Sequence, residues 1–153
     1  MNLQYINPLL EATINVLTTM AMVEVDRGKP SIKVGSKPLG DITGMIALTG
    51  VKTQGSLAIS FSKAAILDIT EKMLGEKIDS IDNDIVDLVG EVTNMITGDA
   101  KRTYSEQGIE FDLTIPSVQV GREQDLLHSV AGKPIVVPLS IAAGDFYIEF
   151  CFN

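Results

Sequence analysis

The stretch DIVDLVGEVTNMITGDAK, from Asp84 to Lys101, carries the residues best suited to chemistry. At about 100° per residue, Ile85, Val89, Val92 and Ile96 fall on one side of a helix. Asp87, Glu91 and Asn94 fall together on the opposite side, with Gly98 in line with them. A carboxylate there can grip a cation on a partner. A carboxamide both donates and accepts hydrogen bonds, so it can hold a water in a chosen orientation, but it is no strong general base. The pair therefore suits positioning a nucleophilic water beside a substrate that is already reactive.

The same face is also open to a plainer account as solvated helix surface. Acids near a helix start complement the helix dipole, and Asp82 or Ser80 could cap it. That leaves Glu91 and Asn94, about two turns further in, without a reason; asparagine is a middling to poor helix former. Between Lys77 and Lys101 there are six acids and no base, so the helix forgoes the i,i+4 pairs a solvated helix usually gains.

Nothing else in the chain makes a self-contained active site. The glycines of GKPS at Gly28 and GKP at Gly132 lack the spacing of a phosphate-cradling loop. The single cysteine, Cys151, alternates with Phe150 and Phe152 and reads as a packed strand thiol. The single histidine, His128, has no companion His or Cys, so no metal site is expected and the residue reads as a surface or loop histidine without a role. A net charge of −8 argues against nucleic acid and against an anionic membrane surface as partners. The start, MNLQYINPLLEATINVL, lacks the basic region of a signal peptide, and no run is apolar enough to span a membrane. A cytoplasmic location is the expectation.

These residues need elements to hold them. The chain, 45% hydrophobic and 21% charged, suits one domain, 1–153, with a real core. NPLLEATINVLTTMAMVEV predicts a first helix with Asn7 as N-cap and Pro8 in its first position. DITGMIALTG and GSLAISFS flank VKTQ and predict a hairpin. KAAILDITEKMLG predicts a short helix ending near Gly75, and the opening stretch a long one running to about Tyr104. FDLTIPSVQVG reads as a strand interrupted by Pro116, which implies a bulge or an edge position. IVVPLSIAAGDFYIEFCFN predicts two strands around a Gly144-Asp145 turn. The sum favours an α+β layered fold, a mainly antiparallel sheet packed against helices, over a doubly wound parallel sheet.

The spacing Asp87-x3-Glu91-x2-Asn94, followed after 21 residues by Pro116, resembles the signature of the CheC/CheX/FliY family of bacterial chemotaxis phosphatases. GEVTNMITGDAK and NPLLEATINVL are similar to its CheX branch, and the resemblance spans nearly the whole chain. It implies a CheC-like layered fold with an internal pseudo-duplication. It implies as substrate the aspartyl phosphate of a CheY-like response regulator. Glu91 would pair with the regulator's active-site lysine, and Asn94 would enter that site and align water. Asp87 would orient the helix or its neighbours, and Pro116 would be structural. No cofactor of its own is implied, the regulator supplying Mg²⁺, and a homodimer through sheet edges is implied, with the last two strands as candidate edges. The first helix carries Glu11 and Asn15 four apart, about 40° apart in the opposite sense, which reads as a degenerate first half. A non-catalytic adaptor or a structural dimeric scaffold of the same fold stands as the alternative.

Overall fold

The computed structural model describes residues 3–153. Its elements in chain order are α1 (Leu3–Met20), β1 (Asp26–Arg27), β2 (Ser31–Ile32), β3 (Ile42–Thr49), β4 (Gln54–Phe61), α2 (Lys63–Leu74), α3 (Asn83–Glu106), β5 (Asp112–Leu113), β6 (Ser117–Val120), β7 (Ile135–Ile141) and β8 (Gly144–Phe152). All strand pairs are antiparallel, in the order β1-β7-β8-β4-β3-β5, with β2 also on β7 and β6 also on β3. The expected α+β class is the one found. No described helix is long and apolar enough to cross a membrane.

The core lies between one face of this sheet and the helices. Alternation turns Leu57, Ile59 and Phe61 of β4, and Phe146, Ile148 and Phe150 of β8, to the helix side, all buried with Leu9, Leu17, Ile66, Val89 and Ile96. The short helix forms as expected: Ser62 Oγ accepts from Ala65 N–H, and Gly75 closes the end with a φ of 74°. Local details differ. α1 begins at Leu3, so Pro8 lies inside it rather than in the first position, and Asn7 is not the cap. The final hairpin pairs Ile141 with Gly144, so Ala142 and Ala143 make its turn, not Gly144-Asp145. Neither last strand is free: β8 lies between β4 and β7, and β7 carries β1 and β2 on its outer side.

Long helix α3 is seated against the sheet by two glycines. Gly44 of β3 pairs with Ile59 on one side and Val118 on the other, and α3 crosses this row. A Cβ on Gly44 would overlap Thr93 Oγ1 and approach Val89 Cγ1 to 3.2 Å. One turn back, the position of a Cβ on Gly90 lies 3.6 Å from Val118 Cγ2. The last turns of α3 are pinned by aromatic packing: Tyr104 meets Phe111 edge-on at 4.9 Å, and its hydroxyl donates to the Tyr5 carbonyl of α1.

The sheet face without helices is covered by the segments 33–41 and 121–134. Glu149 of β8, fully buried, sits under them. Lys33 Nζ lies 2.9 Å from Glu149 Oε2, off the hydrogen-bonding direction, so that oxygen is paired by charge rather than by a directed bond. His128 bridges Glu149 Oε1 at 3.1 Å and Ser56 Oγ at 2.9 Å. Both ring nitrogens of His128 are thus engaged, one by the Glu149 carboxyl and the other by the Ser56 hydroxyl. His128 is thus a loop residue whose side chain is only 6% exposed, a buried strut rather than surface.

Two variants test this packing in urea denaturation. Gly44→Ala lowers stability by about 1–3 kcal/mol through overpacking against Thr93. Lys33→Met costs about 3–5 kcal/mol, because it strands the Glu149 carboxylate in the interior.

Candidate functional site

Asp82 opens α3: its side chain accepts from Ile85 N–H, as one of the two expected caps. From there the helix runs for 24 residues with two faces. Ile85, Val89, Val92, Thr93, Ile96 and Thr97 are buried. Asp87, Glu91, Asn94 and Gly98 are exposed, each about one turn from the next. The buried threonines stay satisfied inside the helix: Thr93 Oγ1 donates to Val89 O at 2.7 Å and Thr97 Oγ1 to Thr93 O at 2.9 Å.

Among the described residues, no hydrogen bond or ion pair engages the side chains of Asp87, Glu91 or Asn94. Among the described residues, the one ion pair on the outer surface of α3 lies further on, between Asp99 and Arg102. A carboxylate and a carboxamide three residues apart are therefore free to meet a partner. They stand on backbone held from below, since Asn94 follows Thr93, which fills the notch at Gly44. The arrangement can bind a cation through Glu91 and orient a small polar molecule through Asn94.

Pro116 is not in the same patch. It is half-buried between β5 and β6, on the sheet edge beside β3. Between the pairs Leu48↔Leu113 and Met45↔Ser117, three residues, Thr114 to Pro116, oppose two, Ile46 and Ala47. Both halves of the expectation hold, since the proline sits in a one-residue bulge at an edge. The bulge sets the register of β6, and β6 carries Val118 against Gly90, next to Glu91. Pro116 thus belongs to the strand segment that abuts the helix bearing Glu91.

Glu11 and Asn15 are exposed on α1. Asn15 borders one groove between α1 and α3 together with Gly98, while Glu11 borders a separate cleft between the same helices, beside Thr103. Cys151 is buried in β8, and its surroundings push the thiol pKa up, first by burial and then by the nearby Glu149 charge. That is a packed thiol, not a nucleophile. Among the described residues no group of three or more His, Cys, Asp and Glu side chains could hold a metal ion. A cleft of about 610 Å³ lies over the Lys33–His128 region, on the opposite sheet face from α3.

Two positions that matter were legible only in part. Gly44 looks in the sequence like any strand glycine, and nothing marks it as the seat of α3. Gly98 falls in line with the polar face, yet a glycine inside an exposed helix costs about 1 kcal/mol relative to alanine, and that cost was the available signal.

Because Glu91 and Asn94 are exposed and unengaged, Glu91→Gln and Asn94→Ala should leave stability within about 0.5 kcal/mol of wild type in urea denaturation. A larger loss in either would mean that the side chain supports the fold.

Comparison with known proteins places this geometry in a family. Residues 42–140 match the family described as Chemotaxis phosphatase CheX. The chain is 46% identical to a CheC-like superfamily protein of known crystal structure from Shewanella sp. PV-4, covering 100% of this chain and 99% of that one, with a TM-score of 0.91. It is 27% identical over 142 residues to the CheY-P phosphatase CheX of Thermotoga maritima, covering 92% of this chain and 90% of that protein. It is 26% identical to a chain in the crystal structure of a CheX–CheY–BeF3–Mg²⁺ complex from Borrelia burgdorferi, covering 97% of each, with a TM-score of 0.81. The matched stretch takes in all of α3 and Pro116, together with the strands that seat them, and the chain belongs to the chemotaxis phosphatase CheX family.

Proposed function

We propose that this protein is a phosphatase for the aspartyl phosphate of a CheY-like response regulator, and that Asn94 orients the attacking water. The observation that carries this reading is the pair of exposed, unengaged side chains, Glu91 and Asn94, on one face of a firmly seated helix. The relatives named for CheY-P phosphatase activity and for a complex with CheY support the substrate class.

The chemistry asks little of this chain. In an acyl phosphate the leaving group is a carboxylate, so the bond to phosphorus is already activated. Water attacks the phosphorus opposite that carboxylate oxygen. The P–O bond breaks, its electron pair leaves with the carboxylate, and the products are phosphate and the free aspartate. Glu91 pairs with the regulator's active-site lysine and fixes how α3 lies across the pocket. Asn94 enters the pocket, and its carboxamide oxygen accepts a hydrogen of the water, which turns the lone pair toward phosphorus. Mg²⁺ belongs to the regulator, in keeping with its presence in the Borrelia complex with CheY.

The supporting residues have narrower parts. Asp87 has no partner within the described chain, so its orienting effect falls on the docked regulator. Pro116 holds the edge strand against α3. The protein acts in the cytoplasm, where a phosphorylated regulator is found. A homodimer through sheet edges would use the outer strands β1 and β2 or β5 and β6, since β8 is interior.

The test is a time course of dephosphorylation of a phosphorylated CheY-like regulator from the same source, with wild type beside Asn94→Ala. Wild type should accelerate the reaction, and the variant should lose about 2–4 kcal/mol of that effect, or roughly 30- to 1000-fold in rate. Binding without acceleration by wild type would make the protein a non-catalytic adaptor. Neither binding nor acceleration would favour a scaffold of the same fold.

A further inference from the structure

Gly98 is exposed in the interior of α3, one turn beyond Asn94 on the same face. A Cβ built on it would meet nothing within 4 Å, and its backbone is ordinary right-handed helix. Neither packing nor conformation inside the chain calls for glycine here. Gly44 differs, since there a Cβ collides with Thr93. The helix gives up the propensity of an alanine at Gly98 without an internal return. The reason for the glycine therefore lies outside the chain.

The surroundings of Gly98 describe what approaches. It opens onto a groove of about 680 Å³ between α1 and α3. Val16 and Met20 of α1 and Met95 of α3 give the groove apolar walls, and Met20 is 44% exposed. On the other side of Asn94, α3 exposes Asp84, Asp87 and Glu91, with no base and no ion pair among the described residues. Along one helix the order is thus acidic, then Asn94, then Met95 and the open Gly98, with the internally paired Asp99 and Arg102 at the groove's far end. For Asn94 to reach into a pocket on another protein, the helix on both sides must lie close to that protein's surface. A side chain at position 98 would hold it away.

We propose that Gly98 is the close-approach point for the response regulator and that the α1–α3 groove receives an apolar side chain from the rim of the regulator's phosphorylation site. The complementary regulator surface is basic toward Asp84, Asp87 and Glu91 and apolar toward Met20 and Met95. This inference rests on the phosphatase reading and adds to it the residues that set docking depth and partner choice. Gly98 and Met20 are positioning and specificity residues; they touch the partner's surface and not the reacting atoms.

The test measures binding of a beryllofluoride-activated CheY-like regulator from the same source, with thermal melting of each variant. Gly98→Ala should raise the melting midpoint by about 2–4 °C, because it restores helix propensity at an open site. The same substitution should weaken binding, and Gly98→Leu should weaken it about tenfold or more. Met20→Lys should also weaken binding with the melt unchanged. Wild-type affinity in both Gly98→Leu and Met20→Lys would overturn the docking inference and leave the phosphatase reading standing. A fall in the melting midpoint of Gly98→Ala would overturn it too, by giving the glycine an internal role. Absence of binding by wild type would overturn both readings together.

Discussion

The contact of α3 with Gly44 is the constraint from which the rest of the structure follows. Thr93 enters the notch left by the missing side chain, and Asn94 is the next residue on the outside of the helix. A helix packed on one side transmits any shift of its seat to the opposite side undiminished. The height of the carboxamide above the surface is therefore set by the core. The row Ile59, Gly44 and Val118 lies across three paired strands, so the sheet register must be right before α3 can settle. The bulge at Pro116 belongs to the same arrangement, because it places Val118 against Gly90.

On the proposed reading, a site of two side chains suffices because the partner brings the rest. Orientation of a water is a geometric service, and its value depends on rigid support more than on acidity or charge. The long helix supplies that support. It is capped by Asp82, buried along one stripe, and tied at its far end by Tyr104 to α1. Its buried threonines satisfy their hydroxyls within the helix and leave no polar group in the core that needs a partner from the site.

The opposite face of the sheet solves a different problem. Helices cover one side only, and the segments 33–41 and 121–134 close the other with little regular structure. Long irregular cover needs anchors. Lys33, Glu149, His128 and Ser56 supply one in the interior, and Asp41 supplies another by pairing with Arg122 and accepting from Lys63 N–H. The Arg122 guanidinium holds the Asp41 carboxyl below the usual carboxylate range. A buried charge network contributes less to net stability than to uniqueness, since each member left without its partner is costly. These anchors lie away from α3, so the cover and the exposed polar face of α3 are separable.

Local pattern determined most of the elements and the exposed polar face of α3. The 3.6-residue period gave α3 its two sides, the Asp82 cap and the Gly75 stop mark helix ends in any context, and strand-like runs on either side of a turn marked β3, β4, β7 and β8. Glu91 and Asn94 were legible because their exposure follows from that period alone. Tertiary structure decided what depends on residues distant in sequence. His128 looks solitary until β4 and β8 bring Ser56 and Glu149 to it, 72 and 21 residues away. Pro8 lies inside α1 and not at its start, against its local preference. The burial of β8 between two neighbours, which removes it as an edge, is a matter of strand order, and period-two alternation is the same at an edge or a centre. The seat at Gly44 and the open space around Gly98 were undecided for the same reason. A glycine states only that a side chain is absent, and whether the vacancy admits a helix of the same chain or the surface of another is settled by what the fold brings opposite it.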